Sequence, residues 1–310
     1  QAEPRRVKDA VSIPALDFDR LAITNRPWAI HATTDDTHTV RAGKMRDATE
    51  VVLDASLAPV RLALSNLFVI ERVESADQAL AWRRDTTLFH SSRHVIPIDR
   101  HLTDPKAIRR LVLALHADAD DVGPWNAWIE SGGEIVIDSD IKRRIAPHEV
   151  DAELRETLHF PTSASAVRRL AAQATRGIED ALARAHALTR FVHRYVSYKD
   201  TPGVQNVVDT IATRRGDCAD YANLLTTLAR AIDIPARTVV GIAYNEDAMA
   251  FALHAWNEVG IDGWWVPVDP TWGQTVPDAT HLLLPEGSAI AALLHMDALR
   301  FRLIEADTST

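Results

Sequence analysis

Residues 214–232, RRGDCADYANLLTTLARAI, contain the chain's one cysteine, Cys218. A thiol becomes a nucleophile when a cation, a helix N-terminus or a neighbouring base draws off its proton. From Cys218 onward, Tyr221, Ala222, Leu225, Ala229 and Ile232 follow i, i+3, i+4, i+7 spacing. That spacing traces one face of a helix with Cys218 in its first turn. Gly216 permits a tight approach to the helix, and Asp217 has the side chain of an N-cap. The positive end of the helix dipole favours thiolate over thiol. The competing reading is a buried structural cysteine, a common fate of a free thiol. Chemistry therefore requires partners from elsewhere in the chain.

Two candidates lie further on, in a stretch whose apolar period changes to two. Ala236–Tyr244, Phe251–Ile261 and Trp264–Asp269 read as strands, and Asp262-Gly263 is a hairpin turn. With that turn, Ile261 pairs with Trp264, Asp269 opposes Trp256 and His254 opposes Thr271. His254 and Asp269 then lie on one face as diagonal neighbours, about 7–8 Å apart at the backbone. A bulge would break this parity. The other face, with Leu253, Ala255, Val259, Trp264, Val266 and Val268, is apolar and expected against a core. A thiol with a histidine and a carboxylate suits nucleophilic acyl transfer. The imidazole takes the thiol proton and the carboxylate fixes its tautomer. Backbone N–H groups at the helix start are suited to an oxyanion.

The elements that must position these residues divide the chain by composition. At 310 residues it suits two domains. Residues 1–146 read as a β-rich N-terminal domain of unassigned role. Its strand-like stretches include EVVLDASL, VRLALSNLFVI, Ala79–Phe89 and Glu134–Asp138. Arg109–Leu115 is compatible with strand or helix, and TTDDTHT and Gly132-Gly133 read as turns. Residues 147–310 begin helical, with helices expected at Glu149–Leu158, Ser165–Thr175, Ile178–Tyr198 and Val207–Thr213 before the Cys218 helix. A strand at His281–Leu284, a short helix near Ser288–His295 and a terminal strand at Leu299–Ile304 complete the tail. His90 and His94 have chelating i, i+4 spacing, but LFHSSRHVI does not read as a helix and no further ligand completes a set.

Composition narrows the function classes. The chain is 46% hydrophobic and 25% charged, ordinary for a globular protein. A net charge of −9 argues against nucleic acid and against anionic membrane surfaces as partners. One cysteine excludes an intrachain disulfide. No apolar run approaches the roughly 20 residues of a membrane span. The chain starts at Gln1 rather than Met, so a soluble, exported (periplasmic) protein is expected if a leader was removed there. Oligomeric state is left open.

GDCADYANLLTTLARAIDIPAR, then HAWNEV, then GWWVPVDPTWGQ resembles the transglutaminase-like superfamily, with its motifs in the family's order over roughly 165–286. The resemblance implies an α+β fold, a papain-like transglutaminase core in which the Cys helix packs on an antiparallel sheet. It also implies a catalytic triad of Cys218, His254 and Asp269. The expected reaction is hydrolysis of a peptide or amide bond in a peptide or protein substrate. Protein-glutamine crosslinking and a non-catalytic peptide-binding module are the alternatives. No metal or organic cofactor is implied. Animal members place an oxyanion-stabilising Trp upstream of the cysteine, and none stands between Trp128 and Cys218 here. Tyr198 and Gln205 are the substitutes considered. Asp220, where many bacterial relatives carry Glu, together with Trp256 and Trp272, completes the expected substrate-binding set. Asn257 and Glu258 are expected to make structural polar contacts.

Overall fold

A computed structural model describes residues 10–17, 22–34, 36–42, 49–64, 68–72, 95–119, 122–199, 206–285, 292–293 and 295–308. The N-terminal strands β1 (Ala10–Asp17), β2 (Ala22–Thr33), β3 (Thr37–Ala42), β4 (Thr49–Asp54), β5 (Pro59–Leu64) and β6 (Phe68–Glu71) form an antiparallel meander in sequence order. At the β4–β5 turn, Asp54 Oδ1 accepts from the Ser56 and Ala58 N–H groups at 2.9 and 3.0 Å, an Asx-type closure that needs no long loop. The expected segment Ala79–Phe89 and the His90/His94 pair lie outside the described residues.

Beyond residue 94 the chain contributes β7 (Val95–Pro97), β8 (Arg110–Ala117), helix α1 (Asn126–Glu130), β9 (Glu134–Asp138) and β10 (Arg143–Arg144). Helices α2 (Pro147–Ala152), α3 (Ser165–Ala174) and α4 (Ala181–Tyr195) follow. Next come β11 (Ser197–Tyr198), α5 (Val207–Thr213), β12 (Arg215–Gly216) and α6 (Cys218–Arg230). The last strands are β13 (Ala236–Asn245), β14 (Ala250–Ile261), β15 (Trp264–Val268), β16 (Leu282–Leu283) and β17 (Leu299–Asp307). The stretch around Arg109–Leu115 is therefore a strand, centred in a sheet of order β17–β8–β9.

The expected break at 146/147 does not separate two sheets. β7 pairs with β14, β10 with β15, and β8 with β17. Ile96, Leu111, Leu113 and Trp125 share a buried core with Ile242, Phe251 and Phe301. Ladder hydrogen bonds thus tie residues 95–144 to the C-terminal half, and composition alone carries no record of such long-range pairing.

Two helices are shorter than expected because their end groups bond elsewhere. α2 stops at Ala152, where the Glu153 carbonyl accepts from Ala236 N–H and the Arg155 carbonyl from Arg230 Nη1. α4 starts after Asp180, whose Oδ2 accepts from Ala183 N–H at 2.7 Å. It ends at Tyr195 because Ser197–Tyr198 pair in parallel with Arg215–Gly216.

The central sheet runs β10–β15–β14–β13–β16. The hairpin register is the expected one, from Ile261↔Trp264 to Asn257↔Val268. Val259, Ile261 and Val268 pack with α3, α4 and α6 residues, as the apolar face should. At the hairpin tip the sides are exchanged: Trp265 is fully buried and Trp264 is 36% exposed. Arg143 pairs with Trp265 across β10, and the Arg237 guanidinium lies 4.7 Å over its ring, closing the side expected to be open.

Helix α6 is the centre of the helical layer, buried from Asp220 through Arg230. Its apolar stripe foretells only one buried face. The polar side is buried as well because side-chain partners meet it. Asn257 Nδ2 donates to the Ala222 carbonyl and to Thr226 Oγ1, both at 2.8 Å. Thr238 Oγ1 donates to Asn223 Oδ1 at 2.9 Å. Arg230 donates to the Ala236 carbonyl and to Glu153, so its buried charge is paired and hydrogen-bonded.

Candidate active site

The site forms at a gap in β14. One edge of this strand pairs with β7 through Ala252 and with β15 from Asn257 onward. Among the described residues, 253–256 carry a strand on the β13 side alone. The start of α6 fills this interruption. The Ala255 backbone N–H, which a neighbouring strand would otherwise engage, is directed at the Cys218 sulfur.

The approach to Cys218 is built from a reciprocal cap. Asp217 Oδ1 accepts from the Ala219 and Asp220 N–H groups at 2.9 and 3.4 Å, and Asp220 Oδ2 accepts from Asp217 N–H at 3.0 Å. Gly216 makes room for it: a Cβ there would stand 2.4 Å from the Asp220 Cβ. Asp220 is accordingly buried and engaged in the cap.

Cys218 is partly buried. Burial and then the adjacent Asp217 carboxylate push its thiol up to about 12, with Asp269 adding to the push and the N–H groups of Ala255 and Ala219 opposing it. The thiolate preference expected of a helix N-terminus is thus opposed, first by burial and then because the capping residue is itself an anion beside the sulfur.

His254 is buried, and its Nε2 lies 3.0 Å from Asp269 Oδ2. Asp269 leaves the ladder just after Val268, and its Oδ1 accepts from the Thr271 and Trp272 N–H groups at 2.7 and 3.3 Å. Burial alone would raise this carboxyl. The charge and hydrogen bond of His254, joined by those of His281, hold it well below the usual carboxylate range. With Nε2 facing Asp269, the second ring nitrogen of His254 is Nδ1.

The aromatic neighbours divide by depth. Trp272, half-buried, stacks on the His254 ring at 4.3 Å and 10°. Trp256 is buried, near-parallel to that ring at 6.0 Å. Its ring occupies the space beside Gly241, where a Cβ would approach it to 2.3 Å. Tyr198 is 57% exposed and lies in register with Gly216, two residues before Cys218. Gln205 falls outside the described residues. Asn257 ties β14 to α6 as described, and Glu258 pairs with Arg237. Both make structural contacts.

His281 is the residue that sequence reading passed over. Its Nε2 lies 3.3 Å from the same Asp269 Oδ2 and its Nδ1 3.3 Å from Asp278 Oδ1. In sequence it is the first residue of an apolar run, HLLLP, with nothing to link it to Asp269. His254, Asp269 and His281 bring ligand-type atoms within 4.8 Å of one another. The spacings are those of N–H···O hydrogen bonds, so the cluster is held by shared protons.

Residues 168–270 match the family model described as the transglutaminase-like superfamily. Over that stretch, about a third of the chain, the protein is similar to a superfamily of thiol-dependent acyl-transfer enzymes. It is 34% identical to the protein-glutamine gamma-glutamyltransferase of Pseudomonas aeruginosa over 33% of this chain and 19% of that protein. It is 32% identical to the kyphoscoliosis peptidase of Mus musculus over 23% of this chain and 12% of that protein. The chain therefore spans less than a fifth of the length of either relative. Among solved structures, the periplasmic domain of TgpA from Pseudomonas aeruginosa is 29% identical, with 42% of this chain and 49% of that one covered at a TM-score of 0.33. Among the described residues no helix is long and apolar enough to cross a membrane.

Proposed function

We propose that this chain hydrolyses a peptide or amide bond through a triad of Cys218, His254 and Asp269. The observation that carries the reading is the buried 3.0 Å contact between His254 Nε2 and Asp269 Oδ2, placed beside a strand gap whose Ala255 N–H meets the Cys218 sulfur. In this reading Cys218 Sγ attacks the substrate carbonyl while His254 Nδ1 takes the thiol proton, so charge separates only as the bond forms. The tetrahedral intermediate collapses as the C–N bond breaks. The leaving amine takes the proton from His254, and a thioester remains on Cys218. Water, deprotonated by His254, attacks the thioester. The acid leaves, and the sulfur recovers its proton.

The oxyanion donors in this proposal are the Cys218 N–H and the hydroxyl of the exposed Tyr198, whose backbone pairs with Gly216. Asp217 already engages the N–H groups of Ala219 and Asp220. Water is preferred over a lysine-like amine as acceptor because no tryptophan stands in the sequence between Trp128 and Cys218 to wall an amine tunnel. Among the described residues, Trp125 and Trp128 pack against each other at 5.1 Å in the core of the other sheet. The test is to incubate the chain with a peptide library, with and without excess primary amine, and to quantify acid and amide products by mass spectrometry. Acid products that vanish in Cys218→Ala support hydrolysis. Predominant amide product would assign transfer instead, and turnover by Cys218→Ala would overturn the triad.

A further inference from the structure

The segment that follows Asp269 folds back on it and closes a circuit. Asp269 and Gln274 exchange backbone hydrogen bonds at 2.8 Å in both directions. Gln274 Nε2 donates to Asp278 Oδ2 at 2.7 Å, and its Oε1 accepts from Asp278 N–H at 2.9 Å. Asp278 Oδ1 accepts from the Thr280 N–H and hydroxyl at 2.9 and 2.6 Å. His281 completes the ring. Its Nδ1 faces the Asp278 carbonyl at 3.1 Å and Oδ1 at 3.3 Å, and its Nε2 faces Asp269 Oδ2 at 3.3 Å.

Every member of the His281 contact set is enclosed: Asp269 is 0% exposed, Asp278 3% and His281 9%. A neutral imidazole has one N–H and one lone pair. Here both ring nitrogens face acceptor oxygens, so a neutral ring would aim a lone pair at a carboxylate in a buried site. Only the doubly protonated ring satisfies both ends. Burial opposes that charge, but hydrogen bonds and charges from Asp269 and Asp278 outweigh it and raise His281 to about 9. From β14 it faces His254 at 5.7 Å between ring centroids, and Trp256 and Trp272 enclose it at 5.2 and 5.1 Å. The charged or titratable groups around it are therefore Asp269, Asp278 and His254.

We propose that His281 is a positioning residue for the triad: it donates to the same Asp269 Oδ2 that faces His254 and so holds that oxygen ionised and aimed at His254 Nε2. The proposal rests on the triad reading above. His281 touches neither thiol nor substrate. It acts by fixing the carboxylate that fixes the His254 tautomer, leaving Nδ1 as the acceptor toward Cys218. The Thr271 and Trp272 N–H groups do the same for Oδ1, so both oxygens have an assigned role.

The experiment uses the full chain labelled with 15N-histidine and follows two readouts, the ring-nitrogen spectrum of His254 and the rate at which iodoacetamide alkylates Cys218. In the parent chain His254 should show one tautomer, protonated at Nε2. His281→Gln should mix the tautomers and slow alkylation on the order of tenfold, the scale of loss for partners that orient a working histidine. If His281→Gln does not fold, Asp278→Asn takes its place. It keeps the shape of the cluster, removes one anion, and should move the His281 titration down while loosening the His254 tautomer. A lowered melting temperature with the His254 tautomer and the alkylation rate unchanged would make His281 merely structural and overturn the proposal. His254→Ala separates the two failures. If it slows alkylation while His281→Gln does not, the triad stands and the His281 role falls. If His254→Ala also leaves alkylation unchanged, the triad falls and the His281 proposal with it.

Discussion

The Asp217 carboxylate caps the helix that begins with Cys218 and, from the neighbouring position in the chain, opposes ionisation of the Cys218 thiol. Structural and chemical demands conflict in this one side chain. A carboxylate is a strong N-cap, yet its charge disfavours a second anion one residue away.

Asp217→Asn separates the two effects. Asn caps about as well as Asp, so helix stability should change little, while loss of the negative charge should lower the thiol's pKa. The expected outcome is an iodoacetamide alkylation profile shifted to lower pH, with melting temperature nearly unchanged. An unshifted profile would mean that the Asp217 charge is not felt at the sulfur.

Gly216→Ala should fail for lack of space. The added Cβ would fall 2.4 Å from the Asp220 Cβ, so the cap must open or the backbone move. Overpacking of this kind costs about 1–3 kcal/mol. Asp220→Ala loses the reciprocal bond to Asp217 N–H, a bond that a cap opened by the Gly216→Ala Cβ has already lost. The double variant should therefore be less destabilised than the sum of the singles, as expected for groups in contact. Urea denaturation of the four chains measures this coupling, and strict additivity would show that the clash is relieved elsewhere.

Asp269→Asn should keep the Thr271 and Trp272 turn but present an amide where His254 needs an anion. Under the triad reading, turnover of any substrate found should fall by up to roughly 10⁴-fold, by analogy with serine triads. His254→Ala should be at least as damaging. Steady-state kinetics on a substrate from the peptide library decides it. A loss below twofold would leave Asp269 as a turn residue before Pro270.

The pH dependence of stability follows from the buried pair of Asp269 and His281. Asp269 is held below its ordinary value, so its contribution is present above the unfolded value near 3.8 and is lost as pH falls. His281 is raised from 6.5 to about 9, so its contribution is full below 6.5 and is lost as pH rises through about 9. Melting temperature should fall between those two values in the parent chain. In His281→Gln that fall should flatten, and an equal slope in both chains would show that another group carries the titration.

Local pattern was enough for much of the site's frame. The stripe from Tyr221 to Ile232 implied the helix, Asp217 its cap, and Asp262-Gly263 the hairpin whose register runs as expected to Asn257↔Val268. These features depend on neighbours a few residues apart, which periodicity and turn chemistry record directly. Tertiary structure decided what depends on distant partners. Burial of both sides of α6 comes from Asn257, Thr238 and the Glu153–Arg155 segment. Attachment of residues 95–144 to the C-terminal sheets comes from long-range ladders that leave no trace in composition. His281 reaches Asp269 only because the turn through Gln274 and Asp278 folds the chain back. The protonation of Cys218 was likewise beyond local reading: the dipole argument weighs one field, whereas the folded site adds burial and the charges of Asp217 and Asp269.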